Sequence, residues 1–516
     1  MKNRILPGIA ALILLSLVPI SCDVAKKDTH SFIFDFNYEG SVNQTKQVKT
    51  GETATKINAP QRPSYNFLDW YSDRVGQDDP FDFSIPIVTD TTVYAIWSLK
   101  EVPSPVYSND LPTLNLELFD GAGETINITS VDRANYVNGK VSLFDDDGSV
   151  MLNNVNTEFR GRGNGSWHEA PKKGYRFKFN SKQSLFGYTA SKHWNIIPCT
   201  NFGDGTLARN AVAYNMARDV LSNIEYTTPT RWLNVYINGG YRGVYLLTEH
   251  VRVDAGRVDI DSKFGVLDTG YLIEYDGYAT YDEATDTHLT NGTHYFTIPG
   301  VRYGFSVKSP DPDDYAGTPN ETEFRKQVAF IQEYTAKTYA AALNKDYALF
   351  STYADANSFL DMYVLHEYFK NTDTGWSSFY MYKKPGGKLF AGPAWDFDAT
   401  AGVNRDDTSP TGIYVAGSME GEFTSSELYI SLYKTPEFKN AVKVRWNQIS
   451  ANTKAFVNLF LNDEWIEAKN TVMARNFAFW SSRSLAESEA YWKESVLNLR
   501  KWLIDRAEWL DKEWAI

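Results

Sequence analysis

Residues 371–398, NTDTGWSSFYMYKKPGGKLFAGPAWDFD, constrain this chain more than any other stretch, because they tie two acidic points to the two ends of one β-hairpin. Ser377 to Lys384 carries β-formers, Pro385-Gly386-Gly387 is a turn, and Lys388 to Trp395 returns as a second strand. That hairpin folds Asp373 back towards Asp396. Asp396 and Asp398 stand two apart at the strand end, so a strand that persists puts both carboxylates on one face, where they can share a hard cation such as magnesium. A single loop Asp followed one hairpin later by Asp-aromatic-Asp is what phosphoryl transfer needs: one carboxylate orients the attacking hydroxyl, another holds the metal. The plainer reading, a turn Asp and two surface Asps, stands beside it at this point.

Composition narrows the partners. At 516 residues the chain has room for two or three domains and a sizeable core. A net charge of −13 offers phosphate backbone no general attraction, which argues against nucleic acid. The first 22 residues read as a secretion signal: Lys2 and Arg4 are basic, Ile9 to Val18 is apolar but too short to span a bilayer, and Pro19-Ile20-Ser21 leads to Cys22. The ending resembles the lipobox of bacterial lipoproteins, although Pro19 stands where Leu is usual. That resemblance implies lipidation of Cys22 and a protein held by lipid at the bacterial cell envelope, outside the cytoplasm. Cys199 then has no partner for an intrachain disulfide.

From His30 to Trp97 the pattern is β: Phe32, Phe34 and Phe36 alternate on one face, Gly51 and Pro60 to Pro63 mark turns, and Tyr94-Ala95-Ile96-Trp97 closes the unit. Trp70 and Trp97 read as core. The segments SFIFDFNYEG, QVKTGETATKINAPQRPSYNFLDWYSD and TTVYAIW are similar to the repeat of internalin-type bacterial surface proteins, a β-grasp-like module that implies a stalk or an interaction surface. The repeat is assigned residues 30–99 and a Pro-punctuated linker residues 100–108.

Further on, residues 158–166 are glycine-rich, and Pro171 to Phe179 is a basic strand with Tyr175, Phe177 and Phe179 on one face and Arg176 and Lys178 on the other. Six basic side chains between residues 160 and 178 make a phosphate pocket on an acidic chain. Gly161, Gly163 and Gly165 would let backbone N–H groups approach a phosphate. Their spacing is neither a Walker loop nor a full GxGxxG, and a glycine-rich turn with a solvated basic face fits as well. Asp204-Gly205-Thr206 can cap a helix running to about Leu221, with Arg209 in its first turn hinting at a nearby anion. Trp232 to Glu249 is a hairpin turning at Asn238-Gly239-Gly240. Residues 276–321 read as an insertion or flexible loop, 321–345 and 358–370 as helices, 402–422 as a mobile polar segment, and the last 80 residues as helical. No HExxH or GxSxG is present, and His250 and His366 read as structural.

RGRGNGSW, PKKGYRFKF, a helix bearing Arg209-Asn210, VYINGGYRGVYLLTEHV, NTDTGWSSFYMYKK and GPAWDFD, in that order, resemble the spore-coat-protein-H (CotH) kinase family over residues 109–516. The resemblance implies an α+β, atypical protein-kinase-like, two-lobed domain that binds ATP and magnesium and phosphorylates Ser or Thr of a secreted or surface protein. It makes Asp373 the catalytic Asp and Asp396 the metal ligand, with Asp398 beside it and Phe390 an aromatic able to stack on adenine. Arg160, Lys173 and Arg209 are the candidate phosphate cations, with Glu249 as a pairing partner for one of them. Kinase-type loops expect a metal-binding Asn five residues after the catalytic Asp, where this chain has Ser378. A hydroxyl is the poorer ligand, so a weakly active or inactive surface scaffold of the same fold is the main rival. A glycan-active protein using paired carboxylates is a second. A monomer is expected.

Overall fold

The computed structural model describes residues 28–38, 41–58, 62, 65–77, 79–99, 107–163, 165–168, 170–200, 203–278, 281–282, 287–288, 293–403, 408–417 and 426–516. The leader with Cys22, linker residues 100–106, and parts of the 276–321 and 402–422 segments lie outside the described residues. The chain divides into two compact units that part at Trp97 and Ser98.

The smaller unit is a mixed sheet of β1 (Thr29–Asp35), β2 (Gln44–Lys49), β3 (Tyr65–Tyr71) and β4 (Thr91–Leu99) in the order β2-β1-β4-β3. β1 runs antiparallel to β2 and parallel to β4. The alternation of Phe32, Phe34 and Phe36 buries all three, and Trp70 meets Phe34 edge-on at 4.9 Å. Trp97 packs against the same core while partly exposed. The described residues of this unit hold strands and turns and no helix, so the β-grasp-like expectation is met only as far as the mixed sheet.

The larger unit begins with a closed seven-stranded barrel. Its strands are β5 (Thr113–Phe119), β6 (Val137–Phe144), β7 (Val150–Arg162), β8 (Gly174–Gln183), β9 (Ser191–Ile197), β10 (Thr230–Ile237) and β11 (Gly240–Glu249), in the order β10-β11-β9-β8-β7-β6-β5. β5 closes it by pairing in parallel with β10. Period-2 alternation fills the interior with Tyr175, Phe177, Phe179, Phe159, Trp194 and Leu233 and turns Arg160, Arg176 and Lys178 outwards. The short α1 (Gly165–His168) lies between β7 and β8, and α2 (Arg209–Asp219) between β9 and β10.

A second sheet, β15-β16-β12-β17-β18, is built from β12 (Tyr271–Tyr275), β15 (Tyr295–Phe296), β16 (Phe305–Ser309), β17 (Phe379–Lys383) and β18 (Leu389–Ala391). β13 (Tyr281–Asp282) and β14 (Thr287–His288) form a separate ribbon. The helices α3 (Glu321–Leu343), α4 (Tyr347–Tyr353), α5 (Ala356–Phe369), α6 (Glu427–Tyr433), α7 (Pro436–Phe460), α8 (Asp463–Trp480) and α9 (Leu485–Glu513) complete the unit. On α9 the stripe Val496, Leu499, Leu503, Ala507 and Leu510 is buried, as its spacing predicts. α5 is buried throughout Ser358 to Phe369, and its Glu367 meets Arg506 of α9 at 2.8 Å with both side chains fully enclosed. Among the described residues no helix is long and apolar enough to cross a membrane. The α+β class is therefore observed, with a barrel that the sequence reading did not anticipate.

Candidate functional site

α5 ends at Phe369 with Lys370 in the left-handed conformation, and Asn371 then caps a 3₁₀ turn, Thr372–Gly375, that carries Asp373. The chain enters β17, turns, and leaves β18, with Met381, Tyr382 and Lys383 opposite Ala391, Phe390 and Leu389. The hairpin thus forms as the Pro-Gly-Gly turn predicts, but its return strand stops at Ala391 and does not reach Asp396. The carboxylates converge for another reason: Asp396 sits at φ 64, a left-handed turn that swings the chain so that Asp373, Asp396 and Asp398 each place an oxygen within 4.8 Å of the others. Non-glycine residues in that region are strained by about 1–3 kcal/mol, so the neighbourhood must hold this one in place. Asp396 N–H donates to the Tyr214 hydroxyl at 3.0 Å, and its carbonyl accepts from Asn371 Nδ2 at 2.9 Å. Its Oδ2 accepts from Ser378 Oγ at 3.0 Å, and Ser378 is itself at φ 63. Asn210 Oδ1 takes the next backbone N–H, that of Phe397, at 2.7 Å.

The cluster opens into a cavity of about 670 Å³ between the outer wall of the barrel and the second sheet. From the barrel side come Arg133, Arg160, Arg162 and Arg176, and from the sheet side Glu274, Asp276 and Lys308. Paired neighbours on β7 and β8, Arg160 and Arg176 stand side by side. Burial pulls Arg176 down to about 10, and the charges of Arg160 and Arg162 push the same way. Such a wall of cations favours an anion. Arg162 lies over the Trp395 ring at 5.5 Å, and Trp395 stacks on Tyr214, which holds Asp396, so the arginine wall is mechanically joined to the acidic cluster.

The candidates from sequence divide cleanly. Asp373, Asp396, Asp398, Ser378 and Arg160 line the cavity. Lys173 does not: its amine bonds the Trp167 carbonyl at 2.5 Å. Arg209 is buried against Asp204 and donates to the carbonyls of Thr400, at 2.9 Å, and Ala401. The anion anticipated near it is therefore internal, and Asp204 does not cap the helix, whose N-cap is Ala208. Glu249 meets Arg257 at 3.5 Å and Tyr226 at 2.6 Å, pairing with none of the three cations proposed for it. Phe390 stacks on Tyr382 at 5.2 Å and lies away from the cavity, so it offers no base platform there. Of the six basic side chains at 160–178, Lys172 is buried on the Pro198 and Val244 carbonyls and Lys178 pairs with Glu158 at 3.0 Å. Gly161 spends its N–H on Asp132, and a Cβ there would strike Trp167 at 2.3 Å, so this glycine serves packing.

Sequence reasoning missed Glu274, Asp276 and Lys308. Glu274 and Lys308 are 2.8 Å apart, and burial still raises the Glu274 carboxyl to about 7. Each is the single charge in a short apolar strand, YLIEY and FSVKS, which is a readable signal for a buried functional or paired group. His366, in contact with Thr374 at 2.8 Å, is held neutral by burial and is structural, as expected.

Three oxygen-bearing ligands suit a hard divalent cation, and the facing arginines suit an anion, so the site is that of a protein able to hold a cation beside a strongly anionic ligand. The family model described as CotH kinase protein matches residues 159–510, more than half of the chain, and the chain belongs to that family. Residues 30–96 match the Listeria-Bacteroides repeat domain. No curated protein matches the chain.

Proposed function

We propose that the larger unit is a two-lobed, protein-kinase-like phosphotransferase that takes the γ-phosphate of ATP to a Ser or Thr hydroxyl of a secreted or surface protein. The observation that carries this reading is the three-carboxylate cluster facing an arginine wall across one cavity. Phosphoryl transfer asks the protein chiefly for positioning and charge stabilisation, and this cavity supplies both. Asp373 orients the acceptor hydroxyl and takes up its proton. Asp396 and Asp398 would hold magnesium, which would supply positive charge to offset that of the donor's phosphates. Arg160, Arg162 and Arg176 hold the donor's phosphates. Ser378 orients Asp396 through its hydrogen bond. The leader ending at Cys22 supports a lipid-anchored, extracytoplasmic setting for the reaction.

The test is transfer from radiolabelled ATP to a protein acceptor, with magnesium. Asp373→Asn and Asp396→Ala should each slow labelling on the order of 10²-fold or more. Both variants labelling as fast as wild type would falsify the assignment. Magnesium-dependent ATP binding with no labelling by the wild type would favour the second reading, a scaffold lipoprotein, for which the replacement of the expected Asn by Ser378 speaks.

A further inference from the structure

The cluster has a cost that the hairpin alone does not meet. Three carboxylates within 4.8 Å of one another repel, Asp396 and Ser378 both occupy the left-handed region, and Asp373 and Asp396 arrive from separate segments. Something has to fix the two segments relative to each other before any cation arrives. Two buried side chains span them, and Thr372 does so away from Asp373 and Asp396, its hydroxyl donating to the Ala399 carbonyl at 3.0 Å. Asn371, 1% exposed, accepts the Asp373 N–H at 2.9 Å through Oδ1 and donates to the Asp396 carbonyl at 2.9 Å through Nδ2. With the Tyr214 hydroxyl on the Asp396 N–H, both main-chain groups of Asp396 are held by side chains.

We infer that Asn371 is the positioning residue of the cation site: it sets the separation of Asp373 and Asp396, and through it the affinity of the carboxylate cluster for a divalent metal. This deepens the reading of the cavity as a metal-assisted site and rests on it. The chemistry allows few substitutes. A carboxylate could accept from Asp373 but has no proton for the Asp396 carbonyl, and it would add a fourth negative charge. Ser or Thr can cap the 3₁₀ turn as well as Asn does but is too short to reach across. Asn371 does not itself line the cavity, so it acts through the two Asps and touches no substrate. Groups that orient metal ligands in this way typically change metal affinity about 10–100-fold when lost.

The experiment uses the full chain and Mn²⁺ as the probe, its free ion counted by electron paramagnetic resonance, in wild type, Asn371→Ser, Asn371→Thr and Asp396→Asn. Either Ser or Thr keeps the cap and removes only the span. The expected result is a melting temperature close to wild type with Mn²⁺ dissociation on the order of 10-fold weaker. A merely structural role would lower the melting temperature without a matching loss of metal affinity in the fraction that remains folded. A folded Ser or Thr variant that binds Mn²⁺ within twofold of wild type overturns the inference and leaves the metal site standing. Wild type that takes up no Mn²⁺, or Asp396→Asn that binds it equally well, removes the metal site itself, and this inference with it.

Discussion

Replacing Glu274 by Gln should make the larger unit more stable at pH 8 and leave it nearly unchanged at pH 4. Glu274 is buried beside Lys308, with Asp276 and the Tyr380 hydroxyl as further neighbours, and burial outweighs the Lys308 attraction, lifting the carboxyl from 4.5 to about 7. A raised carboxyl means that the folded chain holds the proton more tightly than the unfolded one. Its stabilising contribution is complete below pH 4.5 and is lost as the pH rises through about 7. That displacement is worth roughly 3 kcal/mol at pH 8, and it already includes the attraction of Lys308. Gln keeps the shape of the protonated acid without the ionisation. With an unfolding entropy of about 2 cal/mol/K per residue over roughly 400 residues, the gain is about 4 °C in melting temperature. Calorimetry of wild type and variant at both pH values reads it directly, because other titrating groups cancel in the difference. A Gln variant that melts below wild type at pH 8, or that shows the same pH slope as wild type, would refute the claim that burial dominates at this carboxyl.

Two further outcomes separate the cavity from its surroundings. Arg162→Ala should weaken magnesium-ATP binding on the order of 10-fold or more, the loss of one charge-assisted contact, whereas Lys173→Ala should stay within about twofold; calorimetric titration showing the reverse order would return the phosphate site to Lys173. Glu367→Ala leaves Arg506 enclosed without its carboxylate and strips the acceptor from the Tyr414 and Val415 N–H groups, bonded at 2.6 and 2.8 Å. Destabilisation of about 3–5 kcal/mol is expected, and a melting temperature equal to wild type would show the pair to be dispensable.

The sequence carried the hairpin because turn chemistry is local: Pro385-Gly386-Gly387 admits little else, and β17 and β18 flank it. The route by which Asp396 reaches Asp373 was not legible, since it depends on a left-handed backbone at Asp396 that no turn residue beside it marks. Arg209 shows the same limit in another form. A cation in a helix's first turn does imply an anion, but only the fold reveals that Asp204 provides it. Phe390, an aromatic that the family resemblance offers for adenine, turns its ring to Tyr382 across the hairpin, a placement that its position along the chain does not reveal. Glu274 lies just before the segment that reads as an insertion and Lys308 lies within it, on β16, and no local pattern joins two strands that meet only in the sheet. The barrel is hidden in the sequence for a similar reason: alternation reveals strands, while closure depends on the parallel pairing of β5 with β10, far apart in sequence.

That closure bears on how the molecule behaves when crowded. A ring of seven strands has no outer strand with spare main-chain groups, so a neighbouring polypeptide cannot lengthen it by annealing alongside. The small N-terminal sheet does end in two such strands, β2 and β3. β2 carries Lys46 and Lys49, whose charge discourages unwanted docking, while β3 exposes Leu68 and offers the more inviting margin for stickiness during expression and storage.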